Sequence, residues 1–323
     1  MIKHVEVLPD GKVAKMGNNF HLLRYLLAAL VIYSHSYGLL GLPEAGVFRY
    51  GFGTLAVKCF FALSGYLITL SCLRSASLTG FMLNRTLRIA PALIVALIFS
   101  HFVGVYFNRF IGNPVEYIIN GPVWTLSWEV LCYVLCGFLW WFGALNKNVL
   151  TAVVVVAWGL YFLIPGSNEA SAIVTPMVLL FFTGSVIALN EQQFNLRISG
   201  AVCFVLLIVL AVDGKQLLGS WFFNQIPFLY GPDMSNRAHY TLLFLFALPF
   251  ALIWMALYVK PILNLRNDYS YGLYIYAWPV QQSIIALFSP SPLILFVSSL
   301  VVTHLLAMAS WHLLEKRVLR FKV

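Results

Sequence analysis

Apolar runs broken by charges, Pro, Gly and Asn follow one another along almost the whole chain. They fall near residues 20–42, 52–73, 89–107, 122–142, 149–164, 172–189, 198–212, 241–258, 269–288 and 292–314. A helix needs roughly 20 apolar residues to cross the hydrocarbon core of a bilayer. The pattern therefore predicts an all-α polytopic membrane protein, with about ten transmembrane helices in one bundle. Residues 1–19 read as a polar cytoplasmic segment, 20–314 as the membrane domain and 315–323 as a basic cytoplasmic tail. No short apolar stretch with a small-residue cleavage site follows residues 1–19, so the first helix is expected to stay in place. No internal repeat and no added soluble domain interrupts the pattern. The longest external connection, 213–240, contains GSWFFNQIPFLYGPD and reads as an interfacial or re-entrant segment.

Composition and charge fix the orientation. Hydrophobic residues make up 61% of the chain and charged residues 10%, against about 25% charged in soluble proteins. On a soluble domain the net charge of +9 would suggest nucleic acid. Here the basic residues cluster at helix ends, where cytoplasmic loops concentrate them, so the charge reports topology and no nucleic-acid partner. With the N-terminus inside, fourteen Lys and Arg lie in inside segments and only Arg49, Arg109, Lys215 and Arg237 outside. That asymmetry puts both termini in the cytoplasm. The five cysteines, Cys59, Cys72, Cys132, Cys136 and Cys203, are odd in number and lie within apolar runs, so they read as packing rather than disulfide or metal ligands.

Ionisable residues inside such runs mark functional positions, because each costs roughly 2.5 kcal/mol or more in lipid. In the first run Arg24 and His35 lie past its opening residues, where His21 reads as interfacial. Eleven residues separate them, about 16 Å along a helix, which is half the hydrocarbon thickness. Arg24 thus lies near the cytoplasmic face, as do Arg85 and Arg88, just before the third run. Three guanidiniums on one side suit phosphate oxygens; the alternative is that Arg85 and Arg88 are positive-inside anchors. His35 and Glu129 are assigned a second layer, toward the outside, where a carboxylate orienting a neutral imidazole makes a general base for a hydroxyl. Polar helix-packing contacts are the alternative for each. Lys58 has a similar depth, and Trp124 and Trp128, beside Glu129, read as an aromatic belt or as walls of a substrate site. No metal-ligand spacing, Gly-rich nucleotide loop or Gly-x-Ser-x-Gly elbow is present.

Taken together, Arg24 with His35, FFALSGYLIT at 60–69, NRTLRIAP at 84–91, WTLSWEVLCY at 124–133, DYSYGLYIYAWPV at 268–280 and WHLLEKRVLRF at 311–321 resemble the acyltransferase 3 family of integral-membrane O-acyltransferases. The resemblance implies about ten spans in a bacterial inner membrane and transfer of an acyl group, usually acetyl from acetyl-CoA, to a hydroxyl of a cell-surface or lipid-linked saccharide. It implies His35 as catalytic histidine, Glu129 as its acid, and Arg24, Arg85 and Arg88 at the acyl-CoA site, with no metal. On the residue reading, not the resemblance, Lys58, Trp124 and Trp128 would touch substrate; many relatives carry an acidic or uncharged residue at the position of Lys58. A proton-coupled secondary transporter or flippase is the alternative from another class, with Arg, His and Glu lining a proton path.

Overall fold

The computed structural model describes residues 5–7, 13–15, 19–44, 46–47, 50–163, 169–191, 193–212, 237–263, 265 and 267–322. Each predicted run forms a helix: α1 (Phe20–Gly38), α2 (Phe52–Leu73), α3 (Leu78–Tyr106), α4 (Val123–Trp141), α5 (Lys147–Leu163), α6 (Glu169–Leu189), α7 (Leu196–Val212), α8 (Arg237–Tyr258), α9 (Ser270–Phe288) and α10 (Pro292–Ser310). By length and composition, four of the described helices suffice to cross a membrane: α2, α3, α4 and the continuous helical stretch Pro292–Phe321. Two short antiparallel ribbons, Val5–Val7 with Val13–Lys15 and Gly46–Val47 with Tyr50–Gly51, complete the described elements. The interfacial or re-entrant reading of 213–240 falls largely on residues outside the described ones.

Two boundaries differ from the sequence reading for physical reasons. α3 starts at Leu78 rather than 89, because Ser77 accepts a hydrogen bond from the Gly80 amide and caps the helix. Arg85 and Arg88 are therefore inside a 29-residue helix, not before it. α1 ends at Gly38, four residues early, where the chain turns through Gly41 at φ +68°, a conformation glycine adopts without steric cost.

Directions can be read from contacts at the two ends of neighbouring helices. Arg24 of α1 meets Asp268 just before α9, and Ser36 meets Gln281 within α9, so α1 and α9 are parallel. α3 runs with them, since Arg88 reaches Asp268 and Phe99 packs on Tyr276. α2 and α4 run together, Ser64 bonding Glu129 and Cys72 lying against Cys136. α2 runs against α1, with Phe20 stacked on Tyr66. α10 runs against α9, joining Arg88 through Glu315 at the face where α1 begins. Odd and even helices in this set therefore run in opposite directions.

The inner positions go to α2 and α9. In the most apolar window of α2, 67% of residues are buried, against 22% to 28% for the other three long apolar helices, whose remaining apolar surface suits lipid. α2 crosses α6 at backbone contact: a Cβ on Gly65 would lie 1.7 Å from the Phe181 carbonyl oxygen, and one on Gly184 2.2 Å from that of Ala62. Small residues permit this approach where no hydrophobic force separates helix from lipid.

Candidate functional site

At the end where α1 begins, four charged side chains form one network. Asp268, 6% exposed, accepts from Arg24 at 2.7 Å and from Arg88 at 2.8 Å. Arg88 also donates to Glu315 at 2.6 Å. Glu315 is turned inward by a π-helical turn, Trp311–Glu315, which also brings the Ser310 hydroxyl to its Oε1 at 3.1 Å and the Trp311 ring to 5.2 Å from Arg88. One-turn π-helices of this kind recur at functional sites. Burial opposes the charge on Asp268, but Arg24, Arg88 and the Ser270 hydroxyl outweigh it and hold the carboxyl well below the usual carboxylate range.

Arg85 stands apart from this network. Its guanidinium lies 5.9 Å from the Phe81 ring, its Nε is buried, and among the described residues it has no hydrogen-bond or ion-pair partner. Partial burial, and then the positive charges of Arg85 and Arg88, push the Lys322 ammonium below its ordinary value. Arg24 and Arg88 are thus balanced by Asp268 and Glu315, while among the described residues no acid pairs with Arg85 or Lys322.

Glu129 belongs beside this end and not beside His35. It accepts from Ser64 of α2 and from Tyr133, each at 2.6 Å. It lines a cavity of about 30 Å³ between α1, α2, α4 and α9, together with Arg24, Phe60, Thr125, Ser270 and Tyr274. The expected His35–Glu129 pair is not formed among the described residues. Depth alone suggested it; α1 ends four residues early, which leaves His35 in its last turn, and Glu129 points at α2.

His35 occupies the opposite end of α1. Its ring meets Trp278 of α9 edge-on at 5.1 Å, and its Nδ1 is buried with no hydrogen-bond partner among the described residues. The loop 107–122 closes over this region. Asn113 donates to the Gln282 side chain at 2.7 Å, Gln282 to Val115 O at 2.7 Å, and Trp278 Nε1 to Ile118 O at 2.8 Å. Asn120 donates to Ile275 O at 2.9 Å, a carbonyl whose helical donor is missing because Pro279 carries no N–H.

Three further expected residues are not brought to either centre. Lys58 is 1% exposed, with its ammonium 4.8 Å from the Tyr50 ring. It lies one and two turns before Ala62 and Tyr66, which belong to a core cluster that includes residues of α6 and α8, so equal depth did not place it with His35. Trp124 is 48% exposed, and Trp128 packs against the cluster that α2 to α6 form. Trp278 is the indole beside His35. Asp268, Glu315 and Tyr133 were also missed; acids next to a predicted cluster of buried arginines were the available signal. No three His, Cys, Asp or Glu side chains are grouped as a metal site requires among the described residues.

Comparison with known proteins agrees along nearly the whole chain. Residues 18–312 match the acyltransferase 3 family, described as an acyltransferase domain. An O-acetyl transferase of Shigella phage Sf6 is 30% identical, over 94% of this chain and 96% of that protein. Nodulation protein 10 of Rhizobium leguminosarum bv. viciae is 28% identical, over 94% of each. No solved structure matches the chain.

Proposed function

The chain belongs to the acyltransferase 3 family, and from that premise we propose that it transfers an acetyl group from cytoplasmic acetyl-CoA to a hydroxyl of a cell-surface or lipid-linked saccharide across a bacterial inner membrane. In this reading all ten helices cross the bilayer and both termini are cytoplasmic. Residues 20–314 form the transferase, flanked by 1–19 and 315–323. Acetyl as the group is supported by the phage relative, an O-acetyl transferase.

The observation that carries the reading is the polarity of α1. Near one end Arg85 and Lys322 add positive charge that no described acid pairs, and the other, about 16 Å away by helical rise, holds a buried imidazole nitrogen without a partner among the described residues. Arg85 and Lys322 suit the donor's phosphates. Arg24 and Arg88, fixed by Asp268 and Glu315, shape the mouth of the gap between α1, α2, α4 and α9. Glu129, held by Ser64 and Tyr133, lines that gap as a polar wall.

At the far end His35 acts as general base. It takes the acceptor hydroxyl proton as that oxygen bonds to the thioester carbonyl carbon. Collapse of the tetrahedral intermediate breaks the C–S bond, and the imidazolium returns the proton to the departing thiolate. Loop 107–122 keeps water from competing with the acceptor. Purified protein given labelled acetyl-CoA and membrane glycans should place alkali-labile label in the glycan fraction. Binding of acetyl-CoA without ester formation would remove the saccharide, and no binding by folded protein would remove the donor.

A further inference from the structure

Around Trp278, three buried polar atoms have no partner among the described residues: His35 Nδ1, Gln281 Oε1 and Asn120 Oδ1. The amide orientations are set by their nitrogens. Gln281 Nε2 donates to Ile32 O at 2.9 Å and to the Ser36 hydroxyl at 2.8 Å. Asn120 Nδ2 donates to Ile275 O at 2.9 Å and to the Ser100 hydroxyl at 3.1 Å. Flipping either amide would set its oxygen against a backbone carbonyl, so the oxygens are the free ends.

The three side chains belong to one neighbourhood. Gln281 is bonded to the residue after His35, His35 packs on Trp278, and Trp278 packs on Gly121, the residue after Asn120. Gln281 is 0% exposed. Buried acceptors are nearly always satisfied, and each one left unmade costs roughly 1–3 kcal/mol. Two such oxygens, each on a side chain linked through a neighbouring residue to the His35–Trp278 pair, call for hydroxyl donors. No Lys or Arg is among the groups bonded to them, so nothing there favours a carboxylate or phosphate.

We propose that Gln281 and Asn120 are acceptor-positioning residues, whose side-chain oxygens take hydrogen bonds from two hydroxyls of a neutral polyhydroxylated ring while a third hydroxyl of that ring is presented to His35. The proposal rests on the transferase reading, saccharide acceptor included, and adds to it the residues that orient that acceptor. A simple long-chain alcohol would satisfy His35 and leave both amides unpaired.

The test uses the full-length protein, acetyl-CoA, and methyl hexopyranosides with their monodeoxy analogues, with ester formation followed by mass spectrometry. Wild type should lose about 10-fold in kcat/KM when the hydroxyl facing Gln281 or Asn120 is missing, equivalent to about 1.4 kcal/mol. In Gln281→Leu one of these penalties should vanish while the other remains, and Asn120→Leu should show the converse. A merely structural role would lower all rates and leave both penalties in place, which would overturn the proposal. Penalties unchanged in variants of wild-type activity would do the same. If either leucine variant does not fold, Gln281→Met and Asn120→Ala give the same comparison. If wild type binds acetyl-CoA but acetylates none of the methyl glycosides, the polyol assignment fails alone; if it does not bind acetyl-CoA, the transferase reading fails with it.

Discussion

Removing the Asp268 carboxylate would leave the Arg24 and Arg88 guanidiniums facing each other in a largely buried site. Breaking one partner of a buried pair typically costs about 3–5 kcal/mol, so Asp268→Asn should markedly lower the unfolding temperature in detergent. Arg85 has no ion-pair partner among the described residues, and Arg85→Ala should leave that temperature nearly unchanged while weakening acetyl-CoA binding roughly 10-fold or more, as read by equilibrium binding. The low carboxyl pKa of Asp268 also has a pH consequence. A depressed folded pKa contributes stability that is present above the unfolded value, about 3.9, and lost as pH falls toward the folded one. The Asp268 contribution should thus be flat from about pH 5 upward and fade only in strong acid, as pH-dependent melting would register. The arginines were legible in the sequence because a cation in an apolar run is conspicuous. Their partners were not, because acids at helix ends are ordinary, and the inward turn of Glu315 depends on a π-helical turn that no local pattern announces.

Helices were the most legible level, since the length and spacing of apolar runs dictate them. Which faces meet was less so: depth counted along each helix put His35, Glu129 and Lys58 in one layer, whereas rotation about the helix axes sends them to three different neighbours. The α2–α6 crossing depends on rotation in the same way. Gly65→Ala would drive a methyl into the Phe181 carbonyl, whereas a Cβ on Gly159 of α5 meets nothing within 4 Å. Gly65→Ala should therefore reduce the yield of folded protein or destabilise it by about 1–3 kcal/mol or more, and Gly159→Ala should behave as wild type in the same thermal assay.

For the whole molecule, opposed directions of odd and even helices bring the start of α1 and Glu315 to one face, which the proposed orientation makes cytoplasmic from the bias of Lys and Arg. A fluorescent-protein fusion after Val323 should fluoresce, and a phosphatase inserted in the 107–122 loop should be active, if the two faces are assigned correctly. The central claim is that chemistry occurs at His35, at the far end of α1 from the arginines. The most direct measurement is release of CoA thiol from acetyl-CoA by wild type and His35→Ala, with membrane glycans supplied and acetyl-CoA binding measured on the same samples. Loss of at least the roughly 100-fold expected for a missing general base, with acetyl-CoA binding retained, is the predicted result. A variant that turns over as wild type does would contradict the account.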